Sequence, residues 1–75
     1  MNEDNGILAK VLGPDISDAL SLCPDPATTD ADQVVEIEAQ HIGRVRIYAR
    51  RHKSSHGRSL RYFWMAYRAE EVTTL

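Results

Sequence analysis

Two short segments of strict alternation meet at a glycine, and they constrain this chain's fold more than any other feature. Before Gly43 stand Val35, Ile37 and Ala39, interleaved with Glu36, Glu38 and Gln40. After it stand Val45, Ile47 and Ala49, interleaved with Arg44, Arg46 and Tyr48. A period of two sends successive side chains to opposite faces of a strand, so both segments read as half-buried β-strands, over 34–41 and 44–51. With His41-Ile42-Gly43 as a three-residue hairpin loop, Gly43 takes the left-handed position. Ala39 then faces Val45, Ile37 faces Ile47 and Val35 faces Ala49. On the other face Gln40 meets Arg44, Glu38 meets Arg46 and Glu36 meets Tyr48. A slip of one residue would destroy the apolar pairs and the charge pairs together.

A third strand is expected over 60–69. One of its faces carries Leu60, Tyr62, Trp64, Ala66 and Arg68, the other Arg61, Phe63, Met65 and Tyr67. Both are apolar enough to bury. The expectation is that Phe63, Met65 and Tyr67 point inward, leaving Tyr62 and Trp64 outward beside Tyr48. The polar stretch from His52 to Ser59 reads as a long loop between the second and third strands.

Ahead of the strands, Ile16, Ala19, Leu20 and Cys23 recur at helical spacing after Pro14, which predicts a helix over 14–23. Asp15 and Asp18 lie in its first turn, where the helix dipole favours negative charge. Pro24 and Pro26 stop it, and 24–33 is a loop by composition. Residues 1–6 read as a frayed tail, and Ile7, Leu8, Val11 and Leu12 as either a short helix or an extended arm. The fold class expected is α+β: one N-terminal helix packed on a three-stranded antiparallel β-meander, in a single domain spanning 1–75.

A chain of 75 residues buries only about 60% of its unfolded surface, so its stability is marginal. Cys23 is the single cysteine, which excludes a disulfide within the chain. A lone cysteine and the absence of a leader point to a cytoplasmic setting, and no apolar run reaches the length of a membrane span. Seven arginines among nine basic residues suggest a bacterial or phage genome rich in GC.

The net charge of −2 hides an asymmetry. Residues 1–40 hold nine acids against Lys10, whereas residues 41–75 hold eight basic residues against Glu70 and Glu71. No acid lies between Glu38 and Glu70, and that interval contains every aromatic residue of the chain. Guanidinium groups match phosphate oxygens, and rings stack on unpaired bases. The candidate binding residues are therefore Arg44, Arg46, Tyr48, Arg50, Arg51, Lys53, Arg58, Arg61, Tyr62 and Trp64. Glu36 and Glu38 are expected to neutralise Arg44 and Arg46 across the hairpin, which concentrates free charge between Arg50 and Arg61.

Other chemistry finds little support. His52 and His56 have the spacing of a zinc-finger half, with Cys23 and His41 as further donors, but paired cysteines are missing and the ligands come from three segments. Cys23 lies on the apolar helix face, which suits a small core residue better than a nucleophile. No phosphate-binding glycine loop, paired catalytic carboxylates or nucleophile elbow is present. The expectation is a non-enzymatic protein without cofactor or metal that binds DNA or RNA. The alternative is a phage or mobile-element inhibitor of the anti-defence type, such as an anti-CRISPR, that binds a host protein through the aromatic strand. A metal-independent, toxin-like RNase using His52 and His56 with arginine and tyrosine as general acid, base and phosphate clamp ranks below both. An exposed edge strand would also permit a homodimer.

Overall fold

The alternating segments do form a hairpin, and a third strand completes a meander. The structure, a computed structural model, describes residues 3–72, without the side chains of residues 3–5 and 56. Strand β1 spans Gln33–Ala39, β2 spans Gly43–His56 and β3 spans Ser59–Glu71, in the order β1-β2-β3 with both pairings antiparallel. Two helices precede them, α1 over Glu3–Lys10 and α2 over Gly13–Ser21. The α+β class is as expected, with a second helix added.

Within the hairpin the faces are as the alternation requires, but the partners are displaced by two residues. Val35 pairs with Ile47, Ile37 with Val45, Glu36 with Arg46 and Glu38 with Arg44. The three-residue connection is Gln40-His41-Ile42, and Gly43 opens β2 with φ +99°. A slip of two preserves every face, so the alternation cannot detect it. The turn closes through the Ile42 N–H donating to the Ala39 carbonyl at 3.4 Å. His41, third in that turn, sits at φ +69°, a conformation that glycine or asparagine adopts more cheaply.

The core lies on one sheet face. Val45, Ile47, Ala49 and Ala69 are fully buried, and α1 packs over β3 while α2 packs chiefly on β1. Ile7 and Leu8 in α1 and Val11 just after it join this core, so the first apolar cluster begins in a helix, and that helix starts inside the segment that composition suggests is frayed. Pro14 lies in the first turn of α2, Ala19 is buried in its last turn, and the helix stops at Ser21 before Pro24. Asp15, buried in that first turn, accepts a hydrogen bond from the Gln40 backbone N–H at 3.0 Å and so fixes α2 to the hairpin turn.

Two corrections concern β3 and the segment before it. Tyr48 pairs with Arg68, but its neighbour Ala49 pairs with Ala66, leaving Tyr67 as the extra residue of a β-bulge. The bulge inverts the face sequence. Trp64 and Ala66 therefore share the covered face with Ala69, and Phe63 and Met65 turn outward, 40% and 47% exposed. The inward placement expected for Phe63, Met65 and Tyr67 is thus reversed. The expected long loop is also absent: β2 and β3 stay paired to His56 and Ser59, joined by Gly57-Arg58 alone. Gly57 has φ +62°, the sign that a two-residue hairpin turn demands of its first residue.

Candidate nucleic-acid interface

Pairing with β1 ends at Ala49, whereas β2 and β3 continue together to the turn. Residues Arg50–His56 and Ser59–Met65 thus form a two-stranded ribbon that projects past the rest of the sheet. The molecule is correspondingly elongated, with extents of 48 × 25 × 21 Å. The ribbon persists without a third strand because its turn is tight and its base is held by the segment between α2 and β1. Trp64 Nε1 donates to the Pro24 carbonyl at 2.8 Å, and an Arg51 guanidinium nitrogen donates to the Pro26 carbonyl at 3.2 Å. Arg50 and the Tyr67 hydroxyl reach one Asp32 oxygen at 3.5 and 3.4 Å.

Beyond that base, every described side chain from His52 to Arg61 is exposed. Lys53, Arg58 and Arg61 have no ion-pair partner among the described residues. His52 stacks on Phe63, with centroids 5.8 Å apart and planes at 24°. The arm is therefore positively charged, solvated and free of acids.

The other arginines are placed differently. Arg44 and Arg46 both pair with Glu36, at 3.3 and 3.0 Å, and Arg46 also pairs with Glu70 at 2.7 Å. Arg68 pairs with Glu70 at 3.2 Å, and the Tyr48 hydroxyl donates to Glu70 at 2.6 Å. The open face of the sheet proper is thus a self-neutralising network. Tyr48 and then Arg46 hold the Glu70 carboxyl below its ordinary value, and Arg46 foremost does the same for Glu36. The expected partners were Glu36 and Glu38. In the structure Glu36 and Glu70 carry the pairing, and Glu38 makes no ion pair among the described residues.

The ten candidate residues accordingly divide three ways. Arg44, Arg46 and Tyr48 belong to the neutralised sheet face. Arg50, Arg51, Tyr62 and Trp64 build the base of the arm: Arg51 lies 4.2 Å over the Tyr62 ring, Arg50 lies 4.2 Å over Tyr67, and Trp64 is buried. Lys53, Arg58 and Arg61 are left on the free part. Phe63 and Met65, expected in the core, are exposed on this arm, together with Leu60 and with His52, which the sequence places in an exposed loop. Gly57-Arg58 between Ser55-His56 and Ser59-Leu60 was the available signal, since a glycine-led pair between short matched segments marks a tight hairpin.

Burial raises the pKa of the Cys23 thiol, which disfavours the thiolate a nucleophile needs. Among the described residues no helix is long and apolar enough to cross a membrane, and no three histidines, cysteines or carboxylates converge as metal ligands. Comparison with family models, with curated proteins and with solved structures returns no match.

Proposed function

We propose that this protein binds nucleic acid without catalysis, gripping the phosphate backbone with the projecting β2-β3 arm. The observation that carries the reading is the contrast between the two groups of cations. Those on the sheet are consumed by Glu36 and Glu70, whereas Lys53, Arg58 and Arg61 stand exposed on an acid-free projection. Unpaired cations on a narrow projection suit a polyanion, because each phosphate contact releases condensed counterions. The acidic half of the chain does not oppose this, since its carboxylates lie outside the arm and local field outweighs net charge.

The test is fluorescence anisotropy with labelled DNA and RNA at low salt, comparing the wild type with a Lys53→Ala, Arg58→Ala, Arg61→Ala triple variant. The expected result is binding by the wild type and its loss in the triple variant with the melting temperature unchanged. Failure of the wild type to bind any nucleic acid would end this reading.

One observation favours a second reading. Leu60, Phe63 and Met65 are 52%, 40% and 47% exposed on the same arm, and exposed apolar residues of this size also serve protein recognition. An inhibitor or adaptor that binds a host protein would use them. Its binding would be lost on Phe63→Ala with Met65→Ala and retained by the triple charge variant.

A further inference from the structure

We propose that the arm takes double-stranded DNA, lying in the major groove with its open face toward the base edges, and that it does not hold single strands by stacking. The inference rests on the nucleic-acid reading above and makes its ligand specific. It begins from the rings. A single-strand site needs aromatic faces free to accept successive bases. Here the tyrosines are capped by the protein's own cations: Arg68 lies 4.6 Å over Tyr48, Arg51 lies 4.2 Å over Tyr62, and Arg50 lies 4.2 Å over Tyr67. Trp64 is buried with its N–H tied to Pro24, and one face of Phe63 is taken by His52. The aromatic cluster that makes the chain look like a stacking platform therefore serves to rigidify the arm.

The shape of the arm fits a groove. Paired strands lie about 4.8 Å apart, and a two-stranded ribbon with its side chains enters the B-form major groove, which is about 12 Å wide. Seven residues of each strand extend beyond β1, roughly 23 Å at the usual rise, or about two-thirds of a turn of duplex. The major groove of an RNA duplex is too deep and narrow to admit it.

Both faces of the arm meet solvent toward the tip, but they differ at its base. The Pro24–Pro26 segment flanks the face that carries Arg51 and Trp64. The opposite face presents the cross-strand pairs Arg50 with Met65, His52 with Phe63, and Ser54 with Arg61. A guanidinium matches the two acceptors of guanine, and an apolar group matches the thymine methyl. Arg61 is thus placed to meet base edges, with Phe63 and Met65 as methyl contacts. Arg58 at the tip is placed to meet a flanking phosphate, and Lys53, which pairs with Tyr62 on the other face, reaches one on its long stem around the free edge of β2.

The experiment measures anisotropy of the full chain with three probes of one randomised sequence about two helical turns long: duplex DNA, single-stranded DNA and duplex RNA. Duplex DNA should bind about tenfold more tightly than either alternative, and Arg61→Ala with Phe63→Ala should remove about that factor without altering the melt. Netropsin, which fills the minor groove, should leave binding intact. Equal or tighter binding to single-stranded DNA or RNA duplex, or displacement by netropsin, overturns the groove proposal and leaves the phosphate-binding reading standing. No binding to any probe overturns both.

Discussion

Trp64 donates its indole N–H to the carbonyl of Pro24 at 2.8 Å, joining the centre of β3 to the segment that follows α2. The ring is only 7% exposed, and it anchors the point where the sheet gives way to the arm. Truncating it removes a large buried surface and leaves a carbonyl without its donor. Trp64→Ala should cost about 3–5 kcal/mol, against a total stability of roughly 4–11 kcal/mol for a chain of this size. Trp64→Phe retains most of the packing and should cost about 1–2 kcal/mol. Urea melts followed by far-ultraviolet circular dichroism would measure both. A Trp64→Ala variant as stable as the wild type would show that the ring is not part of the core.

His41 is the one described residue other than glycine with a positive φ, at +69°. That conformation crowds its Cβ against the backbone, at a cost of about 1–2 kcal/mol. His41→Gly relieves the crowding but gains chain entropy in the unfolded state, whereas His41→Asn tolerates the conformation and gains less. Asparagine is therefore expected to stabilise by about 0.5–1 kcal/mol, visible as a higher urea midpoint at unchanged slope. Gly43→Ala, at φ +99°, should shift the midpoint the other way by about 1 kcal/mol. The reverse order of midpoints would contradict the turn geometry.

The network around Glu36 and Glu70 predicts an acid limb in the stability profile. Both carboxyls are held below their ordinary value of 4.5 in the folded chain. Such a group binds more protons when unfolded, so its contribution is complete above that value and is lost as pH falls through the lower folded value. The melting temperature should therefore decline below about pH 4.5 as these pairs are protonated. Glu70→Gln should lower it at neutral pH, and the gap to the wild type should close in acid. A gap that stays constant from about pH 7 to about pH 3 would mean that Glu70 contributes no charge-dependent stability.

What could be read from the chain beforehand depended on where one side was dry and the other wet. Along β1 and the first half of β2 that contrast is complete, so strand type and faces were legible from Val35 to Ala49. The two-residue offset was not legible, because it exchanges partners and leaves every face intact. In β3 the alternation is interrupted at Tyr67, and nothing in the residue types there marks a bulge. Each face set before it is apolar, so the sequence pattern could not assign Trp64 to the core. The arm was hidden for another reason. Both of its faces meet solvent, so His52, Lys53, Ser54 and Ser55 show no alternation and resemble a loop. The charge map was more legible than the shape: the expected concentration of free cations between Arg50 and Arg61 stands, narrowed to Lys53, Arg58 and Arg61.

The salt dependence of binding distinguishes the cations on the arm from those on the sheet. With Lys53 and Arg58 each meeting a phosphate, Arg61 meeting a base edge and Arg50 shared with Asp32, two or three phosphates are neutralised. The logarithm of the binding constant should then fall with the logarithm of salt at a slope of about −2 to −3. Arg58→Ala should make that slope shallower by about 1 and weaken binding alike on every sequence, as loss of a phosphate contact requires. Arg44→Ala should leave the slope unchanged, because its guanidinium is already engaged by Glu36 at 3.3 Å. An Arg44→Ala effect as large as that of Arg58→Ala would move the interface from the arm to the sheet face.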